Sequence, residues 1–390
     1  MKIAVYLDEV SNSIDNAMQW AIMQRISESL HGHELQIVDP LKLGKEEALR
    51  VLLQQEYDVL LTYNKTGTDL KVHLEDGSHK ALLSVIDRKH VAWLTEHPLT
   101  FYDQYMSSQC DRHFIFPNDS HAYFAETMGL QGSFSVQMFG SSPATEITSF
   151  QEREFDVCIA AQWRGPAEVN AFWKNATGKT REFFEDVLYL QDSIENRDTF
   201  TAFMAAAKHH RISEQEIAKA GPAMRAIYWY ARKKERIKLV QDFASSGLKV
   251  AIIGGEAWKE VLPKHDSLFF AEPVPHEHLK NWYQKSKSVV TMNNFHGANE
   301  RVFDAMAAGC LVFGECSPSL IHLLGEKSAL FYEPNKACDK IKDLEDVIHT
   351  GLASAMAQSG TEKFIAKHTW RHRGDYLAAL MGELLETERA

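Results

Sequence analysis

Short apolar runs alternate with stretches of helical periodicity along most of the chain. KIAVYLD (2–8) has strand length and composition, and Asp15 to Leu30 places Ala17, Ile22, Ile26 and Leu30 close to a helical repeat. Further strands are predicted at ELQIVDP (34–40), YDVLLTY (57–63), HVAWLTEHP (90–98), HFIFPN (113–118) and FSVQMFG (134–140). Helices are predicted between them over Lys45–Gln55, ALLSVIDRK and HAYFAETMG. Ser141–Glu154 is polar and aperiodic and is the best linker. A second series then opens with EFDVCIAAQW (154–163), passes through a helical region at about 170–246, and continues through LKVAIIGGE (248–256), SLFFAEPV (267–274), SVVTMNN (288–294), CLVFGE (310–315) and ALFYEP (329–334). Its helices are expected at His276–Ser286, Glu300–Ala308 and Ser319–Leu324, with a last one over Lys363–Leu385 broken near Gly374. Strands alternating with helices at this spacing predict two α/β domains, each a parallel sheet covered on both faces. Ligands in such sheets collect at the carboxyl ends of the strands.

Composition narrows the class. The chain has 390 residues, 45% hydrophobic and 24% charged, as in globular proteins. No apolar run approaches the ~20 residues of a membrane span. The start lacks the apolar core and cleavage site of a signal peptide. The net charge of −11 argues against nonspecific nucleic-acid binding. Cys110, Cys158, Cys310, Cys316 and Cys338 are odd in number and show no metal-ligand spacing, so neither a disulfide framework nor a structural zinc site is expected. Reduced thiols fit a cytoplasmic protein.

The segment richest in chemistry is NNFHGANERVFDAMAAGCLVFGE, Asn293 to Glu315. A strand ends at Asn293 and Asn294, a loop carries His296 and Gly297, and Asn299 is placed to cap a helix bearing Arg301, Phe303 and Asp304. Gly309 ends that helix and a strand follows at once. A helix N-terminus of this kind suits a phosphate. Phe303, Met306 and Ala307 are expected in the core.

This segment resembles that of group 1 glycosyltransferases with the GT-B fold. ERVFDAMAAGCLVFGE is similar to their E-A-(M/L)-A-x-G-x-P-V-(V/I) segment. The closer likeness is to the bacterial spore-maturation-type branch. SKSVVTMNNFHGANERVFDAMAAG resembles its (S/A)-K-x-x-L-N … R-x-F-(E/D)-x-x-A-x-G pattern, EPVPHEHLKNWYQKSK its upstream motif and HTWRHRGDYLAAL its terminal one. The likeness covers about 248–383, and the first half matches by strand pattern alone. It implies two Rossmann-like parallel-sheet domains, an acceptor domain over 1–145 and a nucleotide-sugar domain over 153–365 with the helical insertion, and a helix over 366–390 crossing back to the first domain.

It further implies transfer of a sugar from a nucleotide-sugar donor to an acceptor, whether glycan, protein or lipid. Asp304 takes the position of the carboxylate that accepts the ribose hydroxyls, with a solvated helix-surface Asp as the plain alternative. His296 stands where the family has its first Glu, eight residues earlier. It either bonds donor sugar or phosphate or is a loop histidine. Arg301 is a candidate for the donor phosphate or for a salt bridge with Glu300 or Asp304. Arg164, with Gln162 and Gly165 after the first strand of the second half, is a second phosphate candidate. Gly254 and Gly255 permit close approach to a ligand or form a plain turn. In the first half His97 matches a histidine near the donor sugar and acceptor, Glu96 beside it is a candidate base, and Asp8 and Glu9 also end a strand. No DxD-like acidic pair stands out, so metal independence is expected, with no cofactor beyond the donor. Two rivals stay open: a non-catalytic GT-B scaffold and a nucleotide-sugar epimerase. The basic run RAIYWYARKKERIK (225–238) reads as a solvated helix face with inward aromatics, or less simply as a surface for an acidic partner.

Overall fold

The computed structural model describes residues 1–7, 14–64, 66–68, 70–74, 76–107, 110, 112–163, 165, 172–193, 199–213, 216–217, 219–262, 265–292, 298–333 and 336–389. They form two compact units: Met1–Gly140 with Pro275–Glu277 and His368–Ala390, and Ser141–Val274 with His278–Lys367.

Unit 1 is built on the strands β1 (Lys2–Tyr6), β2 (Glu34–Val38), β3 (Val59–Tyr63), β6 (Lys89–Trp93), β7 (His113–Phe116) and β8 (Ser133–Val136). They pair in parallel in the order β2-β1-β3-β6-β7-β8. Ile3, Ala4, Val5, Leu60, Leu61, Val91 and Trp93 are all buried, which is why these strands read as continuous apolar runs rather than alternations. A small antiparallel hairpin, β4 (Lys71–His73) with β5 (His79–Ala81), stands apart from this sheet.

Unit 2 uses β9 (Phe155–Ala160), β10 (Val250–Ile253), β11 (Leu268–Ala271), β12 (Ser286–Thr291), β13 (Leu311–Glu315) and β14 (Ala329–Tyr332), all parallel, in the order β11-β10-β9-β12-β13-β14. In chain order this is 3-2-1-4-5-6, the doubly wound dinucleotide-fold arrangement, whose order reverses between β9 and β12. The expected helical region comprises Lys179–Ser193, Thr199–His209 and Gly221–Ala244.

Three expectations change. ALLSVIDRK is not a helix: Ala81 closes β5, Leu82–Ser84 make one 3-10 turn, and β6 already starts at Lys89. Its apolar residues Leu82 and Leu83 are buried under β1 and β3 without helical continuation. The last strand of unit 1 stops at Val136, short of Gly140. Finally, the terminal helical stretch divides at His368 and Thr369, into Leu352–Lys367 and Trp370–Arg389, and not at Gly374.

The helix Trp370–Arg389 belongs to unit 1, where it packs on the helix Ile14–Ser29. Arg373 anchors it, with Nε donating to the Phe139 carbonyl at 2.8 Å, and burial pulls the guanidinium down to about 10. A Cβ built on Gly374 would lie 2.2 Å from the Ser29 carbonyl oxygen. The glycine is therefore a contact point between two helices, not a helix breaker. Gly374→Ala should destabilise unit 1 by about 1–3 kcal/mol through overpacking, although alanine favours an isolated helix by about 1 kcal/mol. Slower exchange of the Ile14–Ser29 amides in the variant would contradict this packing role.

Candidate functional site

The sheet order of unit 2 sets the carboxyl ends of β9 and β12 side by side. The loop after β9 and the loop after β12 both leave at the carboxyl ends of the strands that flank the switch point. Asn293–Gly297, with Asn294, His296 and Gly297, lies outside the described residues, as do Arg164 and, in unit 1, Asp8 and Glu9.

The helix that follows β12 is held at both ends. Asn299 caps the helix Glu300–Ala307: its Oδ1 accepts from the Arg301 N–H at 3.1 Å, and its Nδ2 donates to the Met292 carbonyl at 3.1 Å. At the other end Gly309 adopts φ 68°, the Gly309 N–H bonds the Met306 carbonyl at 3.1 Å and the Cys310 N–H the Ala305 carbonyl at 2.9 Å. This is the Schellman pattern, and it turns the chain straight into β13.

Arg153, which the sequence reading leaves inside a linker, completes that end. Its buried guanidinium donates to the carbonyls of Ala308 (2.9 Å), Ser286 (2.8 Å) and Thr148 (3.1 Å) and to the Cys310 sulfur (3.2 Å). A cation at a helix C-terminus also complements the helix dipole.

The helix so fixed carries Asp304 on its buried side, 2% exposed. Its Oδ1 accepts a hydrogen bond from the Ser141 hydroxyl, and Lys280 Nζ stands 3.9 Å away while donating to the Ser142 carbonyl at 3.1 Å. Arg301 lies beside Glu300, with 3.5 Å between Nη1 and Oε1. Tyr283 is wholly buried nearby, and burial above all holds its phenol far above the usual range. Asp304, Arg301 and Glu300 thus share one helix, and Ser141 and Lys280 join them without any signal in the sequence.

The two glycines after β10 are explained by packing. A Cβ on Gly254 would fall 1.7 Å from the Ala161 carbonyl oxygen, which also accepts the Trp258 indole N–H, and Gly255 has φ 94°. The N–H groups of both donate to the Ala271 carbonyl, at 3.0 and 2.9 Å. Neither N–H is thus available to bind a phosphate. The basic helix Gly221–Ala244 buries Tyr228, and Arg232 bonds that phenol at 2.7 Å and lies over the rings of Tyr228 and Trp229.

In unit 1 the polar groups gather at the ends of β3 and β6. Asn64, buried and with φ 47°, donates from Nδ2 to Thr95 Oγ1 (3.1 Å) and accepts the Thr95 N–H at Oδ1 (2.8 Å). The Tyr63 hydroxyl also donates to Thr95 Oγ1, at 2.6 Å. A non-glycine residue held in the left-handed region costs energy that its contacts must cover. Glu96 follows, half-buried, with its N–H 3.5 Å from Asn64 Oδ1. His97 is buried; its Nδ1 accepts the Leu99 N–H at 3.0 Å, so it caps the 3-10 turn Pro98–Phe101, and its ring lies edge-on to His121 and Phe124. With Nδ1 accepting, the neutral ring carries its proton on Nε2.

The two units have the fold of GT-B glycosyltransferases. Sucrose-phosphate synthase from Thermosynechococcus elongatus is similar with a TM-score of 0.58 at 10% identity, over 99% of both chains. HepE from Anabaena, solved with UDP-glucose, gives 0.53 at 11% identity over 99% of this chain and 100% of its own. The β-glucosyltransferase of phage T4, with its UDP-glucose substrate, gives 0.51 at 12% identity over 96% and 98%. In sequence, residues 232–379 match the family described as glycosyl transferase-like. No curated protein matches the chain. No helix among the described residues is long and apolar enough to cross a membrane.

Two sheet histidines of unit 1 set a pH dependence. His90 is bonded to Thr62 Oγ1 at 2.7 Å, and His113 lies between Ser133 Oγ (2.7 Å) and Ser135 Oγ (2.8 Å). Burial lowers both pKa values, far more for His90, where the Arg112 charge adds to it. The unfolded chain therefore takes up protons that the native sheet refuses, so stability is full above pH ~6.5 and falls as the pH drops below it. Each residue contributes up to about 1.4 kcal/mol per pH unit within its window. Hydrogen exchange of the β6 and β7 amides should accelerate between pH 6.5 and 5.5 beyond the intrinsic rate change, and His90→Asn should flatten that dependence.

Proposed function

We propose that this chain is a glycosyltransferase that moves a sugar from a nucleotide-sugar donor to an acceptor. The observation that carries this reading is the Asp304 carboxylate, built into a capped helix at the switch-point side of unit 2 within the segment that matches the glycosyl transferase-like family. Two GT-B neighbours bind UDP-glucose, which supports a nucleoside-diphosphate sugar as the donor. The R-x-F-D-x-x-A-x-G pattern at Arg301–Gly309 supports the spore-maturation-type branch.

On this reading Asp304 accepts hydrogen bonds from the donor ribose. The Ser141 hydroxyl occupies its Oδ1 and gives way, so that one O–H···O⁻ bond replaces another. Arg301 and Arg164, with the N-terminus of the helix Glu300–Ala307, stabilise the negative charge that grows on the leaving diphosphate. His296 meets the donor sugar or phosphate. This set supplies leaving-group stabilisation without a metal ion. In unit 1 Glu96 is the better base, because His97 spends its Nδ1 lone pair on the Leu99 N–H.

Calorimetry with a panel of nucleotide sugars, followed by product analysis with and without acceptors, tests the reading. Asp304→Asn should weaken donor binding roughly 10- to 100-fold, the size of one hydrogen bond to a charged group. Ser141→Ala should leave donor binding unchanged or tighter. If Asp304 were only a clasp for the Ser141 segment, both variants would lose stability and neither would alter donor affinity. Failure of every nucleotide sugar to bind would favour the scaffold, and sugar conversion without acceptor the epimerase.

A further inference from the structure

The helical region of unit 2 contains a second cluster that the donor reading does not use. Asp186 in the helix Lys179–Ser193, His209 at the end of the helix Thr199–His209 and His210 just beyond it each direct a ligand atom to one spot, with all three atoms within 4.8 Å of one another. Among the described residues no other group of three His, Cys, Asp or Glu side chains converges in this way. We propose that these three residues bind a divalent transition-metal ion, zinc being the best fit.

The donor set chooses the metal class. Two imidazoles and one carboxylate suit zinc and its first-row neighbours, whereas magnesium and calcium prefer oxygen alone. His210 Nε2 and Asp186 Oδ2 now share a hydrogen bond of 2.8 Å. Two ligands at about 2.05 Å in a tetrahedral shell are about 3.3 Å apart, so this contact needs to open by only about half an ångström. Three protein ligands leave the fourth position to water.

The site is also backed by rigid structure. Mid-helix, consecutive side chains diverge by about 100°. Here the helix ends at His209, and Arg211 turns left-handed at φ 57°. The His210 ring stands edge-on to Phe183 at 5.4 Å, and Phe183 stands edge-on to Phe203 at 5.0 Å. Phe183 lies on the helix that carries Asp186 and Phe203 on the helix that ends at His209, so one packed aromatic contact sets the distance between the ligands. An ion there would tie the two helices together. The close histidine pair on the β4–β5 hairpin, His73 and His79, is exposed and supplies two ligands only, 3.1 Å apart.

The test uses the full chain stripped with chelator. Zinc titration by calorimetry should show one tight equivalent, and cobalt substitution should give the visible absorption bands of a low-coordinate site. His209→Ala, which removes an exposed side chain, and Asp186→Asn should each weaken zinc binding roughly tenfold or more. Zinc should also raise the melting temperature of the wild type and not of these variants. The His73→Ala/His79→Ala double variant should retain the tight site. The proposal is overturned if no saturable zinc binding is seen, or if both cluster variants bind zinc as the wild type does.

Discussion

A carboxylate with almost no exposure to water must be compensated by the groups that enclose it. Asp304 is such a group, and much of unit 2 is arranged around its position. The Ser141 hydroxyl and the Lys280 ammonium answer its charge directly. Asn299 fixes where its helix begins, and Gly309 with Arg153 fixes where it ends. A helix of only eight residues has few backbone bonds of its own, so these end contacts decide its orientation. Moving any of them moves the carboxylate.

The strands were legible because a parallel sheet covered on both faces leaves little polar alternation: β1, β3 and β10 stand out as apolar runs. The cap at Asn299 and the stop at Gly309 were legible for a related reason, since each residue type has a steric or hydrogen-bonding motive that acts over three or four residues. What could not be read is whatever depends on partners distant in the chain. Arg153 looks like one charge in a polar linker until Ser286 and Ala308 arrive beside it. Asn64 gives no sign that it will clamp Thr95 in a left-handed conformation. Gly374 looked like a break because glycine is a poor helix former, but the deciding contact is with Ser29, on another helix. Arg164 and His296 lie outside the described residues.

The two sheets place their polar ends differently. In unit 2 the order reverses between β9 and β12, and the family-like segment starts from β12. In unit 1 the reversal is between β1 and β3, and the Asn64 clamp begins at the end of β3 and reaches to the next strand, β6. Glu96 and His97 therefore sit one strand away from the switch point, held by a hydrogen-bonded scaffold rather than by a glycine-rich turn. That suits a group whose direction matters more than its closeness to a phosphate.

Under the proposed function, the energetics divide between the two ends of the donor. Exchanging the Ser141 hydroxyl for a ribose hydroxyl trades one hydrogen bond to a carboxylate for another of the same kind, and such a trade is close to neutral. Asp304 would then act chiefly through discrimination: losing either the ligand hydroxyl or the carboxylate charge costs that bond and leaves a buried polar group short of a partner. Affinity must come instead from the diphosphate, whose charges meet guanidinium groups and a helix N-terminus. A site divided like this holds the nucleoside by selection and the diphosphate by strength, which leaves the bond between diphosphate and sugar as the place where binding energy can act on the reaction.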